Sequence, residues 1–342
     1  MKQPQLPPPT PKPPLPPPPP SADGGSQQRE SIPGSITGVE VVESDTMEKG
    51  ECSKKGGCAG DQTQEQGPPS LELQPLLQQV AAGASFDWTP IFDRVTHSLF
   101  FVLLQPKREH LKDIFAVSKR VKTVRSGERW TRAKSSYTST GFVYANGPLG
   151  PIIQTCAHGL EHVYKASDPL TISTADMFNV RVLCDHQEHD FQQAGAVGRR
   201  KYANARIVGH DCARDILLIG LTDSELKNFF DDGVCSKGHP ALVIAKSIPR
   251  EARPCMLISW PSHKPRTVAV GWSSSPRALN AICWPNLEQY DMTLLEVNMT
   301  TEKGSSGAPL IDTNGEVIGI LHGGFGGAHS YFVAAHHLRI WR

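Results

Sequence analysis

From about residue 86 onward, apolar residues come in short runs separated by turn-forming residues, whereas residues 1–69 are dominated by proline and polar side chains. Ser98–Leu104, Gly141–Ala145, Ile152–Cys156, Val180–Leu183, Ala205–Val208 and Ile216–Leu221 have strand length and β-branched or aromatic content. A second group follows: Ala241–Ala245, Cys255–Ser259, Thr267–Trp272, Leu294–Val297, Pro309–Asp312, Val317–Leu321 and Ser330–Ala334. Two groups of about six strands predict an all-β fold of two small antiparallel barrels. The pairs Asn146-Gly147 and Asn314-Gly315 stand between apolar runs, where Asn-Gly favours a tight hairpin. Ser224–Asp232 reads as a short helix joining the barrels, capped by Asp223 or Ser224. No repeat of 20–50 residues is visible, which argues against a propeller or solenoid.

These patterns divide the chain into a disordered Pro-rich and polar arm (1–70), a linker or short helix (71–85), a first barrel (86–222), an inter-barrel linker (223–238) and a second barrel (239–342). Residues 1–20 contain 12 prolines, a composition that forces an extended polyproline II arm. Such an arm suits an SH3- or WW-type partner, with a solvated tail as the plainer reading. Leu71–Val80 has the spacing of a short amphipathic helix.

Charge adds little: 35 Lys+Arg against 34 Asp+Glu give a net charge of +1, which makes nucleic acid an unlikely partner. The basic stretch Lys107–Lys134 holds ten Lys/Arg against three Asp/Glu; it reads first as a solvated insertion between two strands, and otherwise as a nuclear address or acidic-partner patch. No apolar run has the roughly 20 residues a membrane span needs, and the start lacks the apolar core of a secretory signal. A cytoplasmic or nuclear location, with no membrane partner, is therefore expected.

The eight cysteines are spread without a CxxC pair and are expected as free thiols. Cys52 and Cys58 lack a nearby Cys or His pair to complete a zinc site. His186 and His189, among Asp185, Glu188 and Asp190, read as a charged hairpin tip before they read as metal ligands. No metal and no cofactor are expected.

The chemistry gathers in three places. In Gly304-Ser305-Ser306-Gly307-Ala308-Pro309, small neighbours let the backbone turn sharply around a serine nucleophile, Ser306. The amides of Gly304 and Ser306 can then point to one spot as an oxyanion hole. Thr155-Cys156-Ala157-His158 ends a predicted strand with a histidine able to serve as base. Asp215 directly precedes a buried strand, where a carboxylate needs a hydrogen-bond donor such as a His ring N–H. His, Asp and Ser follow in that order, 57 and 91 residues apart, which is the chymotrypsin order rather than that of subtilisins or α/β-hydrolases.

With the Thr140-Gly141-Phe142-Val143 strand, Thr-Cys-Ala-His158, Arg214-Asp215-Ile-Leu-Leu and the segment from Gly304 to Ile320, the region 96–342 resembles a trypsin-fold serine protease. Within that clan it is most similar to the HtrA/Deg-like branch. The resemblance implies Ser306 as nucleophile, His158 as general base and then acid, and Asp215 as the group that orients His158. It implies the Gly304 and Ser306 amides as the oxyanion hole, and His322, Gly323 and Gly324 as the segment that holds a peptide substrate. Thr300 matches the base of the specificity pocket, where its lack of charge argues against a preference for Arg or Lys. His322 stands where the family has a small or polar residue, Gly159 where secreted trypsins have a disulfide cysteine, and Ala308 where a glycine is usual. No PDZ-like region is expected after the last strand. Homotrimers are common in the resembled family, so self-association is a further expectation. The sequence leaves three functional readings open: a serine endopeptidase, a protease-like protein that binds peptides and cuts weakly or not at all, or a scaffold whose Pro-rich arm is the functional part and whose barrels are passive.

Overall fold

The computed structural model describes residues 86–148, 150–195, 200–221, 235, 237–262, 264–279, 285–324 and 328–339. The Pro-rich arm, Cys52 and Cys58, and the helices expected at 71–80 and 224–232 lie outside the described residues.

Six strands, β1 (Leu99–Pro106), β2 (Tyr137–Gly147), β3 (Gly150–Cys156), β4 (Phe178–Cys184), β5 (Ala203–Asp211) and β6 (Ile216–Gly220), close into a barrel in the order β1-β2-β3-β6-β5-β4. The second barrel comprises β7 (Pro254–Ser259), β8 (Thr267–Ala278), β9 (Thr293–Asn298), β10 (Pro309–Ile311), β11 (Val317–Gly323) and β12 (His329–Ala334), closed as β10-β11-β12-β9-β8-β7. All strand pairs are antiparallel. In β4 the alternation is plain: Phe178, Val180 and Val182 face the core while Asn179 and Arg181 face out. β6 is buried along its whole length. Its Ile216, Leu217 and Ile219 are fully buried, each contributing about 1.5–3 kcal/mol.

Ala241–Ala245, expected as a strand, forms only a single bridge, Ile244 to Val317. The Leu242 amide donates to the Val143 carbonyl of the first barrel at 2.9 Å, and the Ala245 amide donates to Val317 of the second at 2.9 Å. Leu242 and Ala245 are buried while Ala241 and Val243 are exposed, and the backbone partners come from both barrels, so no ladder forms.

The basic stretch lies between β1 and β2 as two helices, α1 (Leu111–Val121) and α2 (Arg129–Lys134). On α1, Ile114, Ser118 and Val121 bury one face at helical spacing, which leaves Lys119 and Arg120 in solvent. The expected hairpin tip around His186 is also helical: α3 spans Asp185–Gln193. The Asn314-Gly315 turn is present, with Asp312 Oδ1 accepting the Asn314 and Glu316 amides at 2.9 Å each.

Candidate active site

Asp215 sits at the mouth of β6 with φ +57°, a left-handed conformation that aspartate tolerates better than most residues. It is fully buried, yet every side of its carboxylate is used. Oδ1 accepts the amides of Ala157 at 2.9 Å and His158 at 2.6 Å. Oδ2 accepts Nδ1–H of His158 at 2.7 Å and Nδ1–H of His322 at 2.6 Å. Burial alone would raise the Asp215 pKa, but His158 and His322 outweigh it and hold the carboxyl well below its ordinary range. Burial likewise opposes protonation of His158, and the Asp215 carboxylate reverses that, so His158 lies well above its ordinary value.

His322 reaches Asp215 because β11 is irregular. Leu321 pairs with Phe332 and Gly323 with Tyr331, so His322 is the extra residue of a bulge. A bulge re-aims a side chain, and here it turns a ring toward the carboxylate. His322 therefore does more than form a pocket wall. Its ring also meets His158 and Tyr290 edge-on at 5.4 Å each.

Ser306 lies in a loop that only glycine can shape at two points: Gly304 has φ +94° and Gly307 has φ +80°. Among the described residues, the Gly304 and Ser306 amides have no backbone acceptor, whereas Ser305 N–H bonds Glu302 and Gly307 N–H bonds Leu321. The first barrel straps this loop through Thr140, a residue of the Thr-Gly-Phe-Val strand. The Thr140 amide donates to the Ser306 carbonyl at 2.9 Å, and its hydroxyl donates to the Gly304 carbonyl at 3.0 Å. Ala308 is fully buried with Leu310 and Leu321, so its methyl group has a place in the second barrel's core.

Tyr137, at the start of β2, is the residue the sequence reading missed. Its hydroxyl lies 2.7 Å from His158 Nε2 and also hydrogen-bonds Ser306. With Nδ1–H committed to Asp215, the neutral imidazole offers a lone pair at Nε2, and the phenol donates to it. Burial raises the Tyr137 pKa, which keeps it a phenol. His158 and Ser306 are thus linked through a tyrosine hydroxyl. Gly159 makes room for this ring, because a Cβ there would stand 2.2 Å from Tyr137 Cδ1. The only sequence signal was an aromatic three positions before Thr140. Cys156 is a buried thiol 3.7 Å from both the Tyr137 hydroxyl and His158 Nε2.

Beside His158 lies a cleft of about 220 Å³, lined by Glu161, Glu288, Tyr290, His322 and Gly323 among others. Burial raises the pKa of both glutamates. Of the sequence-predicted residues, His158, His322 and Gly323 line this cleft; Asp215 lies behind the two histidines and Ser306 meets the Tyr137 hydroxyl. Gly304 holds the turn before Ser306. Gly324 and Thr300 are exposed, and among the described residues no contact links Thr300 to the group.

Two closed antiparallel barrels, with a histidine–aspartate pair facing a serine held between glycines, define a trypsin-like architecture. Residues 139–320 match the trypsin-like peptidase domain family, and the chain belongs to it. The three residues His158, Asp215 and Ser306 all fall inside the match. Similar solved structures include the active form of the Rv3671c protease from M. tuberculosis, 16% identical with a TM-score of 0.46, covering 73% of this chain and 81% of that one. The inactive form of that protease is 18% identical with a TM-score of 0.45, over 73% of this chain and 89% of that one. Deg5 is 16% identical with a TM-score of 0.45, over 73% and 89%. A comparison with curated proteins finds no match.

Proposed function

We propose that the protein is a serine endopeptidase of the HtrA/Deg-like branch that hydrolyses polypeptides through an acyl-enzyme. The observation that carries this reading is the buried Asp215 carboxylate holding His158 by Nδ1 at 2.7 Å, with Ser306 one hydroxyl away from Nε2. His158 takes the Ser306 proton as Oγ attacks the scissile carbonyl. The carbonyl oxygen, now an anion, is received by the Gly304 and Ser306 amides, and the protonated His158 donates to the leaving amine. Water then attacks the acyl group and gives its proton to His158, which passes it to Ser306 Oγ as the acyl–oxygen bond breaks and the acid is released. His322, Gly323 and the neighbouring cleft carry the substrate's main chain past His158, and Thr300 is read as the uncharged base of the specificity pocket. The Pro-rich arm is read as a docking segment for an SH3- or WW-type module.

The direct test is reaction with a fluorophosphonate probe. The native chain is expected to label, and Ser306→Ala and His158→Ala are each expected to abolish labelling. Labelling that survives Ser306→Ala would place the nucleophile elsewhere.

One observation favours the second reading, a protein that cuts weakly at rest: the Tyr137 hydroxyl occupies the atom of His158 that a serine needs. Tyr137→Phe removes that competitor and keeps the ring against Gly159. A net hydrogen bond of about 1–1.5 kcal/mol corresponds to roughly a tenfold gain in labelling rate. A rate that falls instead would make Tyr137 a relay between Ser306 and His158 rather than a brake.

A further inference from the structure

We propose that Cys184, His186, Cys235 and His239 bind a zinc ion that ties the end of β4 to the segment entering the second barrel. One donor atom from each residue lies within 4.8 Å of all the others. Cys235 Sγ is 3.4 Å from His186 Nδ1. In a tetrahedral site with ordinary zinc–sulfur and zinc–nitrogen bonds, the S···N edge is about 3.6 Å, so this pair already has the spacing zinc imposes. Two thiolates and two imidazoles form a closed structural donor set, soft enough to select zinc over magnesium or calcium.

The surroundings hold the ligands as a zinc site requires. His239 donates Nδ1–H to the His97 carbonyl at 2.8 Å, which fixes its tautomer and leaves the Nε2 lone pair for a metal. The His97 ring stacks on His186 with centroids 4.4 Å apart, and the His186 and His239 rings approach to 4.9 Å. The one carboxylate between two of the ligands, Asp185, is taken by Arg266 at 2.6 and 2.8 Å and does not compete. The same two sulfurs could instead pair as a disulfide, but that would give two converging imidazoles no role. The other converging group, His158, Asp215 and His322, has both histidine Nδ1 atoms spent on the carboxylate. Zinc at the first group would fasten α3 and β4 to a segment 49 positions further along the chain.

The test uses the full chain, purified under reducing conditions without chelator. Mass-spectrometric metal analysis is expected to find about one zinc per chain, retained in Ser306→Ala and lost in Cys184→Ser and in Cys235→Ser. Exchange with cobalt(II) is expected to give tetrahedral ligand-field bands with a thiolate-to-cobalt charge-transfer band. His239→Cys should keep the metal and strengthen that band, an outcome that simple misfolding of a variant cannot produce. Three results would overturn the proposal. One is a native chain, folded by circular dichroism, with neither zinc nor a cobalt spectrum. Another is zinc that survives both serine substitutions, and the third is a Cys184–Cys235 disulfide in the isolated protein.

Discussion

Asp215→Asn is expected to lower turnover by about four orders of magnitude with the fold intact, because the wrong face of His158 would then carry the proton. Asp215 Oδ2 accepts two ring N–H groups, from His158 and His322. An asparagine that keeps the Oδ1 role toward the Ala157 and His158 amides turns its NH₂ to both rings. His158 then accepts at Nδ1 and carries its proton on Nε2, where it cannot act as a base. The pH behaviour follows from the same pair. His158 lies well above its ordinary value of 6.5, so the acid limb of kcat/KM in the native chain falls above pH 6.5; losing the carboxylate moves that limb down. Stability runs differently. The raised His158 pKa contributes stability that is full below its unfolded value and is lost as pH rises through the folded one. The depressed Asp215 pKa contributes stability that is full above its unfolded value, about 3.9, and is lost as pH falls through the folded one. The pair therefore stabilises most between about pH 4 and 6.5, below the range in which His158 is neutral. Thermal unfolding across pH should show that plateau in the native chain and not in Asp215→Asn. A loss of turnover under tenfold, or an unmoved acid limb, would remove Asp215 from the mechanism.

The residues that share this site were unequally legible, for a physical reason. His158, Asp215 and Ser306 each stand at a strand boundary, where local sequence already constrains what a polar side chain can do. Asp215 precedes a run of apolar residues, and Ser306 is bracketed by glycines with positive φ. The strands were legible because period-two burial writes itself into β4 and its neighbours. Ala241–Ala245 shows the limit: its alternation of exposed Ala241 and Val243 with buried Leu242 does not say which backbone accepts its amides. Tyr137 and His322 act only across distance. A tyrosine opening a strand carries no local mark of a histidine 21 positions away, and the bulge that aims His322 is a property of how β11 pairs with β12. The Cys184–His239 group was hidden in the same way. His186 invited pairing with His189 along the chain, whereas the fold sets it against Cys235. Gly159 was legible only as the absence of a cysteine; the structure supplies its cause in the Tyr137 ring.

Gly307→Ala is expected to cost about 3–5 kcal/mol and to unseat Ser306, far more than its single methyl group suggests. Two costs add. At φ +80° an alanine is strained by about 1–3 kcal/mol, as any L side chain would be. The new Cβ would also stand 2.2 Å from Thr155 Oγ1, 2.5 Å from the Thr140 carbonyl oxygen and 2.7 Å from the Cys156 amide nitrogen. The last two are backbone atoms of β2 and β3 and cannot rotate aside. Relief must come from the nucleophile loop moving off the first barrel, which breaks the Thr140 strap on Ser306 and Gly304. Gly315 provides the control. Its φ is +78°, almost the same, but the atom its Cβ would meet is the Arg94 guanidinium at 1.6 Å, the end of a flexible, exposed side chain. Gly315→Ala thus carries the strain and the loss of one surface hydrogen bond, about 1–2 kcal/mol, with labelling unchanged. Thermal melts should separate the two variants by several degrees, at roughly 2–4 °C per kcal/mol for a folded region of this size. Equal melting temperatures would mean that strain at positive φ is the whole cost, and that the fit between the nucleophile loop and the first barrel is looser than these distances require. A Gly307→Ala chain that melts early yet labels at the native rate would instead uncouple barrel contact from the alignment of Ser306.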